Sequence, residues 1–249
     1  MTHRQIAVLL AAAWAIGSPI VQAAAGFGQS QAAFSAAGDE TLRAASYAFS
    51  IWGFIYAWLA AYAIWQALPA QRDNPRLARL AWPAAAANLG IGAWIWLAAA
   101  DVRWATVIVI IASASTLAAG LVAARARDAA DRRERLLSWQ PLALLAGWLT
   151  IAAALNILMV MTAEGLLSPS AGRGAGTAGV IAVAGLALAF VDRTRLIAFP
   201  LAVAWGLIAV WLAERSDHAL AAWTALAAAG LLALVSAWIS VTKTQVRRA

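Results

Sequence analysis

The run WATVIVIIASASTLAAGLVAA, Trp104 to Ala124, carries no charged side chain over a length that suits one crossing of a bilayer. Hydrocarbon about 30 Å thick takes about 20 helical residues at about 1.5 Å each. Further runs of the same kind lie on either side of it: Ile6–Ala25, Ala45–Leu68, Leu80–Ala100, Leu136–Thr162, Thr177–Val191, Leu196–Leu212 and Ala219–Val241. Their apolar residues are continuous and do not alternate with polar ones, so helices are expected rather than a barrel. With 64% hydrophobic and 12% charged residues in 249 positions, no soluble core hides that much apolar surface. The fold expected is all-α, a polytopic transmembrane helical bundle of about eight spans.

The net charge of +7 is read first as a topology signal, not as a sign of nucleic acid. Fourteen of the 18 Lys and Arg residues fall at the termini and in the even-numbered connections, among them Arg4, Arg72, Arg76, Arg79, Arg132, Arg133, Arg135, Arg193 and Arg195. Only Arg43, Arg103, Arg173 and Arg215 lie on the other side. Positive-inside bias therefore places both termini in the cytoplasm, which agrees with an even number of spans. A bacterial inner membrane is the expected location. The Val21-Gln22-Ala23-Ala24-Ala25 text after Arg4 has the small-residue form of a leader cleavage site, but the apolar core before it is long, and a retained span is expected.

Among the connections, Gly26 to Arg43 exceeds what joining two neighbouring helices requires and is read as an external lid carrying Gly26, Gly28, Gly38 and Asp39-Glu40. In the Arg125–Arg135 connection, the four-residue spacing of Asp131 and Arg135 suits a helix continuing out of the membrane. Ser168 to Gly176 reads as a loose linker between a five-span unit, residues 1–167, and a three-span unit, residues 168–249. Its Gly172-Arg173-Gly174-Ala175-Gly176 text is not a phosphate loop, because no strand precedes it and no Gly-Lys-Ser/Thr follows.

The cores of the spans hold no Asp, Glu, Lys, Arg or His, which argues against an ion path or a retinal Schiff base. No cysteine is present, so thiolate chemistry is excluded, and His3 and His218 are too far apart in the sequence to suggest a metal site. Aromatic and amide chemistry remains. Most of the 14 tryptophans are read as belt or packing residues. Phe49, Trp52 and Tyr56, at spacings of three and four, share one helix face, with Trp52 about 10 Å below Ala45. Trp94 and Trp96 stand near the same external end, with Asn88 deeper on the turn pattern Asn88, Gly92, Trp96. Asn156 lies about 9 Å below Thr162. An amide in hydrocarbon needs a partner, so Asn88 and Asn156 are expected to face the bundle interior, as interhelical glue or as polar anchors of an aromatic pocket.

These residues resemble the TspO/MBR family, the tryptophan-rich sensory or translocator proteins. The text Tyr47-Ala48-Phe49-Ser50-Ile51-Trp52-Gly53-Phe54-Ile55-Tyr56 has the aromatic order of the family's second helix. Trp148 with Leu155-Asn156 is similar to its fifth, and Asn88 with Trp94 and Trp96 to its third. The resemblance covers about the first 165 residues and implies a five-helix TspO-like unit plus three added helices. It also implies a pocket for flat hydrophobic molecules, a porphyrin such as protoporphyrin IX or haem, under the first long loop. The implied walls are Phe49, Trp52, Tyr56, Trp96 and Trp148, with Asn88 and Asn156 orienting polar edges. The tyrosine-then-basic sterol pattern is missing from Leu155 to Gly165, so sterol binding is not carried over.

The expected function is thus a membrane sensor or transport protein for porphyrin-like ligands. Light-dependent porphyrin degradation, transport of other small apolar metabolites and a scaffold role remain alternatives. The last draws on Gly90, Gly92, Ser113, Gly120 and Gly230, small residues that permit close helix approach. Expected partners are the lipid bilayer, a hydrophobic small molecule and a second copy in a homodimer. No nucleic acid, metal or required cofactor is expected.

Overall fold

In the computed structural model, which describes residues 1–38, 41–124 and 131–246, the apolar runs are helical and no strand occurs among the described residues. The long helices are α1 (His3–Ala24), α3 (Ile51–Ala67), α4 (Pro75–Ala99), α5 (Arg103–Ala123), α7 (Gln140–Ala163), α8 (Pro169–Thr194), α9 (Ala198–Glu214) and α10 (Ala219–Val246). A short α2 (Gln31–Ala36) lies in the first connection, and a single turn, α6 (Arg132–Glu134), leads through a π-helical stretch, Arg135–Trp139, into α7. Among the described residues, seven helices are long and apolar enough to cross a bilayer, and α9, with 17 residues, is shorter. The protein is an all-α integral membrane bundle.

Local chemistry sets where the helices begin. Asn74 caps α4 by accepting from the N–H groups of Arg76 (3.0 Å) and Leu77 (3.3 Å), with Pro75 in the first turn, where its missing N–H costs nothing. Ser168 and Pro169 do the same for α8, the Ala171 N–H reaching Ser168 Oγ at 3.3 Å. This cap overturns the reading of 168–176 as a loose linker: the glycine-rich text is the first turns of α8. The reason is packing, because a Cβ on Gly172 would lie 2.9 Å from Thr41 Oγ1 and one on Gly176 would lie 3.4 Å from the Thr41 carbonyl. The glycines let α8 approach the segment that descends from the lid.

The helix expected from the Asp131/Arg135 spacing is present and leads into α7, and Asp131 caps its start, accepting from the Glu134 N–H at 2.6 Å. Asp39-Glu40 of the lid and the Arg125, Arg127, Arg247 and Arg248 part of the charge pattern lie outside the described residues.

The helices α1, α3, α4, α5 and α7 form a ring in which α1 packs on α3 and α4, α4 on α5, α5 on α7 and α7 on α3. Outside it, α9 lies on α7, while α10 packs on α8 and α9. Several of the small residues sit where helices cross closely. A Cβ on Gly90 would lie 2.0 Å from Ser113 Oγ, one on Gly92 2.0 Å from Trp14 Nε1 and one on Gly120 2.6 Å from Pro83 Cβ. Gly230 has nothing within 4 Å. Gly147 allows a close crossing between ring and outer helices, since its Cβ would fall 2.3 Å from the Phe199 carbonyl oxygen.

One end of the bundle is fastened by a buried carboxylate. Glu134, 3% exposed, receives Arg76 through Nε at 2.7 Å and Nη2 at 3.0 Å, and the Trp139 indole N–H at 3.1 Å. Nearby, Arg4 donates to the carbonyls of Gln71, Arg72 and Asn74, tying α1 to the α3–α4 turn. Burying a charge is costly unless it is paired, and removing one partner leaves the other stranded. Arg76→Ala is therefore expected to destabilise the bundle by about 3 kcal/mol, seen as a lower thermal unfolding midpoint in detergent. A midpoint equal to wild type would show that Glu134 finds water or another cation there.

Candidate functional site

The ring encloses a cavity of about 520 Å³ at the end of the bundle opposite the Glu134 pair. Its walls come from α3 (Trp52, Tyr56), α4 (Ile91, Trp94, Ile95), α5 (Ile110, Ser113), α7 (Trp148, Ala152, Asn156) and Pro19 of α1. Trp52 stacks on Tyr56 with centroids 5.1 Å apart and planes at 26°, and meets Trp148 edge-on at 6.2 Å and 87°. The spacing Trp52/Tyr56 puts both rings on one face of α3, while Phe49, in the 3₁₀ turn Ser46–Ser50 that precedes it, closes the edge and is partly exposed.

Across the cavity the Trp94 indole N–H donates to Asn156 Oδ1 at 2.9 Å. That bond fixes the amide: its oxygen is taken and its Nδ2 group has no hydrogen-bond partner among the described residues. The Trp148 Nε1–H is also without a partner, and both side chains are at most 5% exposed. Two buried N–H donors thus belong to residues that line one apolar chamber.

The lid is α2, which contributes Gln31, Ala32 and Ser35 to the cavity. Phe34 anchors it, fully buried against the edge of Trp94 at 5.7 Å and in a small core with Ala98, Val107, Met159 and Val160. Glycines at both ends let the lid touch backbone. A Cβ on Gly28 would sit 2.1 Å from the Ala99 carbonyl oxygen and one on Gly38 2.2 Å from that of Met159. Gly28 also has φ +64°, in the left-handed region that glycine enters without a Cβ penalty.

Below the lid, residues 41–50 run along the mouth and are held by α7 of the ring and by α9 outside it. Thr41 and Thr162 share a hydroxyl hydrogen bond. The Arg43 N–H donates to Glu214 Oε1 at 2.8 Å, the Ala45 N–H to the Ala209 carbonyl at 3.0 Å, and Trp205 Nε1–H to the Ala48 carbonyl at 3.1 Å. Tyr47 meets Trp205 edge-on at 5.1 Å. Glu214 is 1% exposed and also contacts His218 Nδ1 at 2.5 Å, while the Arg43 guanidinium reaches Asp217 at 3.1 Å. Leu42, Arg43, Ala44, Ser46 and Ala48 of this segment line the cavity. The outer helices therefore shape the mouth of a chamber they do not enclose.

The sequence model of a family described as TSPO-like protein matches residues 4–238. The chain belongs to the TSPO-like protein family. The match runs through α8, α9 and most of α10, so the family pattern in this chain is not confined to the five ring helices. Neither a curated protein nor a solved structure matches the chain.

Of the residues singled out from the family resemblance, Phe49, Trp52, Tyr56, Trp148 and Asn156 border this one cavity, and Trp96 and Asn88 do not. Trp96 turns to α1, where its indole N–H reaches Ser18 Oγ at 3.4 Å and its ring tilts against Phe27 at 5.6 Å. Two helix steps are about 200° of rotation, so when Trp94 faces the chamber Trp96 faces away. Asn88 shares a face with Ile91 and Ile95 but lies one turn below the lining, fully buried, with its Nδ2 bonded to the Ala84 carbonyl at 2.9 Å. Sequence reasoning missed Trp94 as the wall and missed Trp205 and Glu214 as supports of the mouth. Trp205 and Glu214 carried no pattern that tied them to residues 43–48.

The two lid glycines give a direct test. Gly28→Ala meets both a left-handed backbone and the Ala99 carbonyl, whereas Gly26→Ala, at φ +61° with nothing within 4 Å, meets only the first. The left-handed conformation costs a residue with a Cβ about 1–2 kcal/mol. Gly28→Ala is expected to speed proteolytic cleavage of residues 26–38 well beyond Gly26→Ala; equal rates in the two variants would mean that the lid is not seated on α4.

Proposed function

We propose that this TSPO-like membrane protein is a sensor or transporter that binds a flat hydrophobic ligand, a porphyrin such as protoporphyrin IX or haem, in the ring cavity. The observation that carries the reading is the pairing of aromatic walls with two unpartnered buried donors, Trp148 Nε1–H and Asn156 Nδ2. A chamber of about 520 Å³ lies within the usual range of small-molecule sites, about 300–1,000 Å³. Trp52, Tyr56 and Trp148 offer rigid apolar area at little cost in rotamer entropy. A buried donor without an acceptor costs about 1–3 kcal/mol, and a side-chain rotation that presents either donor to a carbonyl or carboxylate oxygen on the ligand removes that cost.

The ligand therefore combines a planar apolar body with at least one acceptor oxygen, as a porphyrin propionate does. Arg43 also lines the mouth, where its guanidinium is paired with Asp217 and Glu214. In this reading the protein sits in a bacterial inner membrane with both termini and the Glu134 end in the cytoplasm, following the arginine asymmetry, and the lid faces outward.

Quenching of tryptophan fluorescence by protoporphyrin IX measures the affinity. Asn156→Leu is expected to weaken it about 5- to 150-fold, the equivalent of about 1–3 kcal/mol, and Trp52→Ala/Trp148→Ala to abolish it. Equal affinity in wild type and the double variant would remove the site. Because the native chain has no cysteine, single cysteines placed in the lid and in the α3–α4 turn, labelled from either side of intact cells, test the orientation.

A further inference from the structure

A second concavity, about 650 Å³, opens on the outer flank of the ring. It lies between α3 and α9, with α7 as its floor, and is walled by Phe54, Trp58, Leu144, Leu201, Trp205 and Leu136 among others. Phe54 is 56% and Leu136 50% exposed, so the groove faces the lipid and does not belong to the ring cavity. Along α9 it runs from Ile197 to Trp205, and along α7 from Leu136 to Leu144, about 12 Å in each case at about 1.5 Å per residue. These are the first turns of both helices, so the groove starts at the arginine-rich end of the bundle.

That end is marked by charge. Arg135 immediately precedes Leu136, and Arg195 stands two residues before Ile197. Arg135 Nη2 donates to the Arg195 carbonyl, which brings the Arg135 guanidinium to the backbone of the α8–α9 turn, beside the start of α7. Arg195 occupies the left-handed position that ends α8, and its guanidinium is 3.6 Å from Asp192, a carboxylate that is 74% exposed. A pair with one partner so open to water contributes little to stability. Among the described residues near this turn, Arg132, Arg133, Arg135, Arg193 and Arg195 outweigh Asp131 and Asp192, while Glu134 is taken by Arg76.

We propose that the groove is the seat of one anionic phospholipid, its phosphate on Arg135 and Arg195 and one acyl chain between α3 and α9. The apolar walls alone would accept any lipid; the arginines at the entrance select a headgroup that carries net negative charge, as juxtamembrane basic clusters do. Since α9 supplies one wall, the site needs the outer helices, and it is independent of what fills the ring cavity.

Native mass spectrometry of the full chain, released from micelles doped with phosphatidylglycerol or with phosphatidylcholine of the same acyl chains, tests this. Wild type is expected to keep one phosphatidylglycerol with about tenfold preference over phosphatidylcholine. Arg135→Gln/Arg195→Gln is expected to erase the preference, and Leu201→Trp, which fills the groove from its lipid-exposed rim, to displace both lipids. Because the Leu201 side chain is 42% exposed, that variant leaves the buried core untouched. Equal retention of the two lipids by wild type overturns the proposal. So does phosphatidylglycerol that survives Leu201→Trp, since the lipid would then sit on the arginines alone. A Leu201→Cys chain that forms a disulfide with a second copy in native membranes also overturns it, by giving the groove to a protein neighbour.

Discussion

Everything in this fold is arranged around α7, the helix with no side turned to lipid along most of its length. Its residues from Pro141 to Leu149 are all buried, and it packs on α3 and α5 in the ring and on α8 and α9 outside it. A helix enclosed in this way needs neighbours close on every side, and lipid gives no hydrophobic drive to bring them there. Small residues supply the closeness. Gly147 lets the Phe199 backbone come to van der Waals contact, and the alanines at 143, 146 and 153 leave room for the larger residues opposite. The aromatic wall Trp148 and the amide Asn156 stand on this same helix, so the geometry of the cavity inherits the rigidity of the crossing.

The mouth depends on a second layer of support. Backbone that is not helical is tolerated at membrane depth only where protein satisfies its polar groups. Residues 41–45, which lead into the second span, are not helical, and α9 satisfies two of their N–H groups: Glu214 takes the Arg43 N–H and the Ala209 carbonyl takes that of Ala45. A carboxylate buried to 1% exposure is kept by its own partners, His218 and the Arg43 backbone and side chain. The outer helices thus do for the mouth what an interstrand ladder does for an extended segment in a soluble protein.

The sequence made the helices legible because hydropathy integrates over about 20 residues and tolerates local error. The common depth of Trp52 and Asn156 was legible as well, since depth needs only a residue count from a helix end. Rotation was not. Choosing between Trp94 and Trp96 requires knowing which neighbour α4 turns to the chamber, and no residue of α4 states that α1 takes the opposite face. The glycines at 172 and 176 were misread for a related reason: glycine in a helix and glycine in a linker look the same until the Thr41 segment that needs the space is known. Glu134 and Glu214 escaped because each lies just outside an apolar run, where a charge is ordinarily solvated.

Trp205 joins the two concavities. Its ring lines the lipid-facing groove, its indole N–H holds the Ala48 carbonyl, and Ala48 lines the ring cavity. An indole has a single donor, so it cannot move toward an occupant of the groove and keep its bond to Ala48 at the same time. The mouth segment is short and is pinned at Arg43, Ala45 and Ala48, so loss of the last tie leaves Phe49 and the start of α3 held from one side only. The wall of the groove and the edge of the cavity therefore share one residue, Trp205. A five-helix ring without α9 has neither the groove nor that connection.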